Sequence, residues 1–235
     1  MPHINGVRLV NVAFNDAKSY FDDFTMIFRG KSATYDLENG GGKSVLLMML
    51  LQVVLPNTSL REDKPLKNIF LGGKDRTSHV LVEWILDDGM PKKYLLTGFC
   101  ARRSRDKKDD VESAEDLSVD VMELDERGID YFNYYIMYDE PNPYDLRNLK
   151  LAENIGSGKR IMGFEELKQY IRTTIAQRYA AEYFHHRRGE YLDFIRGYNL
   201  IDAEWKVIKD INSGENSIEK YFRQNKTSRK LIENL

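Results

Sequence analysis

The pattern of apolar residues in the first part of the chain predicts two strands and then a helix. Residues 7–14 alternate between apolar and polar positions, and residues 21–28 form a second strand-like stretch of mixed polarity. Residues 45–55 are almost continuously apolar and follow a glycine-rich turn, which predicts a helix that ends by Pro56. Because its apolar residues cover every face, this helix is expected to be buried on all sides.

Further strands are predicted downstream. Residues 79–86 and 93–101 are rich in apolar and aromatic residues, and the Asp88-Gly89 pair between them favours an antiparallel hairpin. Residues 118–124 and 133–138 are strand-like as well. Several antiparallel strands beside a glycine-loop helix exclude a purely doubly wound parallel sheet. The predicted fold class is therefore α/β, in the α+β sense of a mixed sheet with antiparallel strands.

The pattern becomes helical after Pro143. Residues 164–183 place Leu167, Ile171 and Ile175 on one face, and residues 191–195 and 203–211 are helix-like too. Residues 217–235 predict a final charged helix that lacks an obvious cap. We therefore predict a lobe over residues 1–143 and a helical region over residues 144–235 that approaches a coiled coil, as the beginning of a longer protein.

Composition indicates a soluble globular protein. The chain has 235 residues, of which 42% are hydrophobic and 31% charged, and its net charge of −2 means that nucleic-acid contacts would need local basic patches. The single cysteine, Cys100, excludes an internal disulfide framework, fits a reducing compartment and is expected to be buried. No apolar run approaches the ~20 residues of a membrane span. A cytoplasmic location without a membrane partner is predicted.

The clearest chemical motif is a glycine-rich turn between a strand-like segment, residues 32–37, and the apolar helix. The turn and the residue after it are Asn39, Gly40, Gly41, Gly42, Lys43, Ser44 and Val45. Glycines allow torsions and close approaches that let successive N–H groups point at a polyphosphate, and the positive end of the helix adds to the attraction. Lys43 is expected to reach the β- and γ-phosphates, and the Ser44 hydroxyl to bind magnesium.

One position departs from the usual phosphate-loop pattern. In G-x-x-x-x-G-K-[ST] the first glycine would fall where Leu37 stands. The alternative is an ordinary glycine turn before a core helix, with Lys43 as a solvated residue. A domain with such a degenerate loop would serve as an interaction module for a partner protein.

The order of these elements resembles the N-terminal half of an ABC-type ATPase head, above all in the structural-maintenance-of-chromosomes (SMC) family and its DNA-repair relatives. The likeness covers roughly residues 4–140 and is most specific at the glycine loop. Beside that loop it is carried by Phe14, Lys18-Ser19-Tyr20 (with two extra residues), Leu60-Arg61, Ile69-Phe70-Leu71-Gly72, Val80-Leu81-Val82 and Tyr134-Tyr135-Ile136.

The resemblance implies an ATP–Mg²⁺ site in the N-terminal lobe of such a head. Asn39 to Val45 would hold the nucleotide, with Lys43 catalytic and Ser44 on the metal, and Lys18 is a candidate for the phosphates. Arg61 is carried over as a candidate catalytic contact near the γ-phosphate, since an arginine fork can bind phosphate oxygens bidentately. The alternative for Arg61 is a solvated loop residue.

Two parts of a complete ABC-type head are missing or doubtful. There is no Leu-Ser-Gly-Gly-type signature. The apolar segment before Asp139 and Glu140 resembles a Walker B strand, in which Asp139 would hold magnesium and Glu140 would activate water. We favour instead an antiparallel strand of the lobe that ends at Pro141; a self-contained P-loop NTPase using Asp139 and Glu140 is the alternative.

The favoured interpretation implies several partners. They are a C-terminal head lobe from the same or a partner chain, a second head that sandwiches ATP, DNA, and accessory subunits. The full assembly would act in chromosome organisation, DNA repair or defence against plasmids and phages. Without the second lobe, this chain is expected to be an inactive or very weak ATPase.

A last pair of residues, His185 and His186, lies beside two arginines. Adjacent side chains on a helix point about 100° apart, so on a helix these two histidines would not share one metal ion. The pair is therefore interpreted as a solvated basic edge, and no metal cluster is predicted from the sequence.

Overall fold

The computed structural model describes residues 2–15, 18–34, 36, 38, 41–60, 66, 69, 77–103, 128–156 and 158–213. The strands are β1 (His3–Phe14), β2 (Ser19–Ile27), β3 (Thr77–Ile85), β4 (Tyr94–Arg103), β5 (Ile129–Tyr138), β6 (Ala152–Ile155), β7 (Gly158–Ile161) and β8 (Ala180–His185). The helices are α1 (Lys43–Gln52), α2 (Phe164–Tyr170), which continues into a π-helical turn over Ile171–Ile175, α3 (Arg188–Arg196) and α4 (Asp202–Asn212).

Six strands form one sheet in the order β2-β1-β3-β4-β5-β8, and β6 and β7 form a separate hairpin. Every strand pair in the described ranges is antiparallel. The fold is therefore mixed α/β with a mostly antiparallel sheet and few helices, as predicted at that level. Strands on both sides of residue 143 contribute to this sheet, because β8 pairs with β5.

The strand register defines two ends of the sheet. At one end of the strands, His3 lies opposite Ile85, Ile85 opposite Tyr94, and Tyr94 opposite Tyr138. We call this the Tyr138 end of the sheet. The other end of the strands, which we call the Phe14 end, holds Phe14, Ser19, Thr77, Arg102, Asp130 and His185. At a rise of about 3.3 Å per residue, the two ends of a ten-residue strand are separated by roughly 30 Å.

Apolar side chains cover both faces of the sheet. One core holds Met49 and Leu51 of α1 together with Tyr191 and Ile195 of α3, and Trp205 of α4 packs against it. The other core holds residues of β4 and β5 together with α2 and the π-helical turn, among them Cys100, Phe132, Phe164, Leu167 and Ile175. The sheet is thus the middle layer of three.

Most predicted elements are present. Strands are found at the predicted positions 7–14, 21–28, 79–86, 93–101 and 133–138, and helices at 191–195 and 203–211. The expected burial of Cys100 is confirmed, and burial raises the pKa of its thiol. The strand predicted at 118–124 and the helix at 217–235 lie outside the described residues. In the described part of the chain, no helix is long and apolar enough to cross a membrane.

Three local predictions are wrong. The described residues between 32 and 36 form no strand, because they are exposed and pair with no neighbouring strand. The helix predicted over 164–183 stops at Ile175, and Ala180–His185 is an edge strand instead. Pairing with β5 here outweighs the helical preference of the alanines. Helix α1 ends at Gln52 and is not buried on all sides, since Lys43 and Ser44 in its first turn are exposed.

Candidate nucleotide-binding site

The turn before α1 needs glycine at position 42 for two reasons. Gly42 has a φ of 86°, in the left-handed region that L side chains rarely adopt. A β-carbon there would also lie 2.9 Å from Cζ of Phe21 and 3.4 Å from Cδ2 of Phe14. The carbonyl of Gly42 accepts a hydrogen bond from the Leu46 N–H at 2.8 Å, so the glycine connects the turn directly to the first turn of the helix.

An aromatic row holds this turn against the sheet. The ring centroids of Phe14 and Phe21 are 4.7 Å apart, and those of Phe21 and Phe24 are 5.2 Å apart. Phe14 ends β1, while Phe21 and Phe24 belong to β2, so the glycine turn lies at the Phe14 end. Lys18 lies exposed in the connection between these two strands. It therefore belongs to the hairpin whose rings contact Gly42.

The start of α1 presents cationic and hydroxyl groups to solvent. Lys43 and Ser44 are exposed, and the first turn of the helix contains no acidic residue. Helix N-termini carry unpaired N–H groups and a partial positive charge, to which Lys43 adds a full charge. The exposed start of the helix therefore suits an anion. Gly41, by contrast, donates its N–H to the Glu38 carbonyl at 2.9 Å, so this donor is not directed at a ligand.

The other end of α1 is held firmly. Gln52 is fully buried, and its side-chain amide donates to the carbonyls of Met48 at 2.8 Å and Thr58 at 2.7 Å. Asn133 of β5 donates to the Gln52 carbonyl at 3.1 Å, and the Tyr191 hydroxyl of α3 donates to the Val53 carbonyl at 2.5 Å. The exposed start of the helix is therefore attached to a fixed body.

The structure brings together part of the predicted site. Gly41, Gly42, Lys43, Ser44 and Val45 are contiguous at the start of α1, with the Lys18 hairpin beside them. Asn39, Gly40, Leu37 and Arg61 lie outside the described residues. The contact between Phe21 and Gly42 is not apparent in the sequence, because no local pattern connects β2 to the glycine turn.

Asp139 and Glu140 are not brought to the glycine turn. They follow β5 at the Tyr138 end, whereas the glycine turn lies at the Phe14 end. Asp139 accepts hydrogen bonds from Lys92 Nζ at 2.6 Å and from the Lys93 N–H at 3.1 Å, and these bonds lower the pKa of its carboxyl. The segment is an antiparallel strand between β4 and β8, as the favoured interpretation expects. One nucleotide cannot contact both Lys43 and Glu140 in this fold.

The two adjacent histidines do not lie on a helix. His185 is the last residue of β8, and His186 follows it with a φ of 57°. Their ring centroids are 3.8 Å apart, so the premise that the rings point about 100° apart is wrong. The left-handed backbone at His186, which the sequence pattern does not reveal, brings the rings together.

No protein-family model matches this chain, and no curated protein matches it either.

Proposed function

We propose that the glycine turn before α1 binds the phosphates of ATP–Mg²⁺, and that the chain is the N-terminal lobe of an SMC-like, ABC-type ATPase head. The observation that carries the proposal is the start of α1, where Gly42 in a left-handed conformation is followed by exposed Lys43 and Ser44. A polyphosphate needs backbone N–H groups, a nearby cation and a magnesium ligand, and these residues supply all three.

The side chains take the roles expected of a phosphate loop. Lys43 would contact the β- and γ-phosphates, and the Ser44 hydroxyl is an oxygen ligand of the kind that Mg²⁺ prefers. Lys18, in the hairpin that contacts Gly42, is a second candidate cation for the phosphates. Arg61 remains a candidate from the resemblance alone. The buried half of α1 would keep the loop in place when a highly charged ligand binds.

Hydrolysis is proposed to need groups from elsewhere. Asp139 and Glu140 lie at the Tyr138 end and are too far from Lys43 to orient magnesium or water at the same nucleotide. The acidic groups would come from a C-terminal head lobe of the same or a partner chain, and a second head would complete the site. DNA and accessory subunits are the further partners that the resemblance implies.

A phosphate-release assay on the isolated chain tests whether hydrolysis needs groups from outside this chain. The expected result is negligible turnover with ATP–Mg²⁺ at concentrations at which the nucleotide is bound. Turnover at an ordinary rate, about 1 s⁻¹ or faster, would contradict the proposal that the lobe lacks its own catalytic acids.

A second candidate function is an interaction module that binds no nucleotide. The observation that favours it is the hydrogen bond from the Gly41 N–H to the Glu38 carbonyl, because a phosphate loop would direct this donor to its ligand. Leu37, which stands in place of the first loop glycine, also favours a module that binds no nucleotide. Absence of ATP binding at millimolar nucleotide, with the fold intact, would favour this candidate.

A further inference from the structure

Asp130 and His185 come together across two neighbouring strands at the Phe14 end. In the register of β5 and β8, His185 lies opposite Phe132, so Asp130 is its diagonal neighbour on the same face of the sheet. Nε2 of His185 is 2.9 Å from Oδ1 of Asp130. Both side chains are partly buried, and both belong to strands and not to a loop.

The backbone at His186 adds a second imidazole to the same place. Successive side chains of a regular strand point to opposite faces, but the φ of 57° at His186 interrupts that alternation directly after β8. One potential ligand atom from each of Asp130, His185 and His186 lies within 4.8 Å of the other two.

We propose that Asp130, His185 and His186 bind a divalent transition-metal ion of the Zn²⁺ type. Two imidazoles and one carboxylate form a ligand set that suits zinc and its neighbours in the first transition row, and three protein ligands leave a fourth position open for water. At metal–ligand distances of about 2.0–2.1 Å, the ligand atoms of a tetrahedral site are roughly 3.3 Å apart. The three candidate ligand atoms lie within 4.8 Å of one another without an ion, so metal binding would need them to approach by up to about 1.5 Å.

The surroundings of Asp130 prepare its carboxylate for this role. Nε and Nη2 of Arg102 donate to Oδ2 of Asp130 at 3.1 and 2.9 Å, so the other oxygen, Oδ1, faces His185. Outer hydrogen bonds of this type orient metal-binding carboxylates.

Lys168 competes with the metal. Its Nζ lies 3.3 Å from Nδ1 of His185 and 3.0 Å from Oε2 of Glu165. When Nε2 binds a metal ion, Nδ1 carries the imidazole proton, which faces the Lys168 ammonium unfavourably. Arg102 adds a second positive charge nearby. Removal of the Lys168 charge should therefore strengthen metal binding, whereas a site formed by unrelated surface groups would not respond.

Calorimetric titration of the untagged full chain with Zn²⁺ tests the proposal, with circular dichroism as the check on folding. We expect one ion per chain, a loss of affinity of roughly tenfold or more in His186→Gln and Asp130→Asn, and tighter binding in Lys168→Met. His3→Gln is the matched control, because His3 is exposed at the Tyr138 end, and should bind as the unchanged chain does.

The exposed position of His186 keeps the test decisive even if Asp130→Asn is unstable. Absence of Zn²⁺ binding at millimolar concentration would overturn the proposal. So would unchanged affinity in His186→Gln, which would mean that the zinc is bound elsewhere. These outcomes do not depend on the glycine turn, because no nucleotide is present in the titration.

Discussion

Phe21 packs against Gly42, and this contact links the first hairpin of the sheet to the start of α1. A β-carbon at position 42 would approach the Phe21 ring to 2.9 Å, in a backbone conformation with a φ of 86°. The candidate phosphate loop is therefore held in position by an aromatic ring on a neighbouring strand, and not only by its own glycines.

Gly42→Ala should be strongly destabilising because it combines backbone strain with overpacking. We expect the free energy of unfolding to fall by about 2–4 kcal/mol in urea denaturation. Gly89→Ala is the matched control: Gly89 has a φ of 90°, but nothing lies within 4 Å of a β-carbon there, so only the strain of about 1–2 kcal/mol applies.

The contribution of the ring can be separated by a double-mutant cycle. In a Phe21→Leu background, Gly42→Ala should be less destabilising than in the unchanged chain, because the overlapping ring atoms are absent. Gly42→Ala could instead lower the free energy of unfolding equally in the two backgrounds, or by the same amount as Gly89→Ala. Either result would show that the contact with Phe21 does not require glycine at position 42.

Glu140→Gln should leave ATP affinity unchanged. Glu140 is exposed at the Tyr138 end, while Lys43 begins α1 at the Phe14 end. Equilibrium dialysis with labelled ATP–Mg²⁺ would measure this directly, with Lys43→Ala as the variant that loses binding. A drop in affinity of about tenfold or more in Glu140→Gln would contradict the separation of the two ends. The self-contained NTPase is tested by turnover instead, because in that case Glu140→Gln would abolish hydrolysis while ATP binding persists.

His79 should make the fold sensitive to acid. The side chain is fully buried, and burial lowers the pKa of the imidazole from 6.5 to about 4, against the opposing effect of the hydrogen bond to the Met162 carbonyl. The imidazole therefore binds a proton at a higher pH in the unfolded chain than in the folded chain. The contribution of His79 to the free energy of unfolding is complete above pH 6.5 and is lost as the pH falls towards 4.

The effect can be measured by comparing urea denaturation at pH 7 and pH 4.5. His79 should contribute a loss on the order of 3 kcal/mol over its full titration range. His79→Gln can retain a donor for the Met162 carbonyl but does not titrate, so its stability should fall less over the same interval. An identical fall in both proteins would show that other groups cause the acid sensitivity.

How far the sequence predicts the fold depends on the range of the interactions involved. The hairpin of β3 and β4 is predictable, because two segments rich in apolar and aromatic residues flank a turn with glycine at position 89. The strand Ala180–His185 is not, because its residues acquire extended structure only by pairing with β5. A six-residue edge segment carries too weak a local signal to compete with the helical pattern before it.

The same distinction applies to the sites. Lys43 and Ser44 are recognisable because a phosphate loop is contiguous in sequence. The cluster of Asp130, His185 and His186 is not, since it needs both the register of two strands and a left-handed residue. A sequence pattern that predicts a helix at the histidines cannot predict the cluster, although two imidazoles and a carboxylate are residue types that suit a metal ion.

The most direct test of the central claim is calorimetric titration of the chain with ATP in the presence of Mg²⁺, compared with Lys43→Ala. Lys43 is exposed, so its loss should change the free energy of unfolding by no more than about 0.5 kcal/mol. We predict measurable, magnesium-dependent binding by the unchanged chain and a loss of affinity of roughly tenfold or more in Lys43→Ala. Absence of binding at millimolar nucleotide, or equal binding by the two proteins, would contradict the assignment of the glycine turn as a phosphate loop.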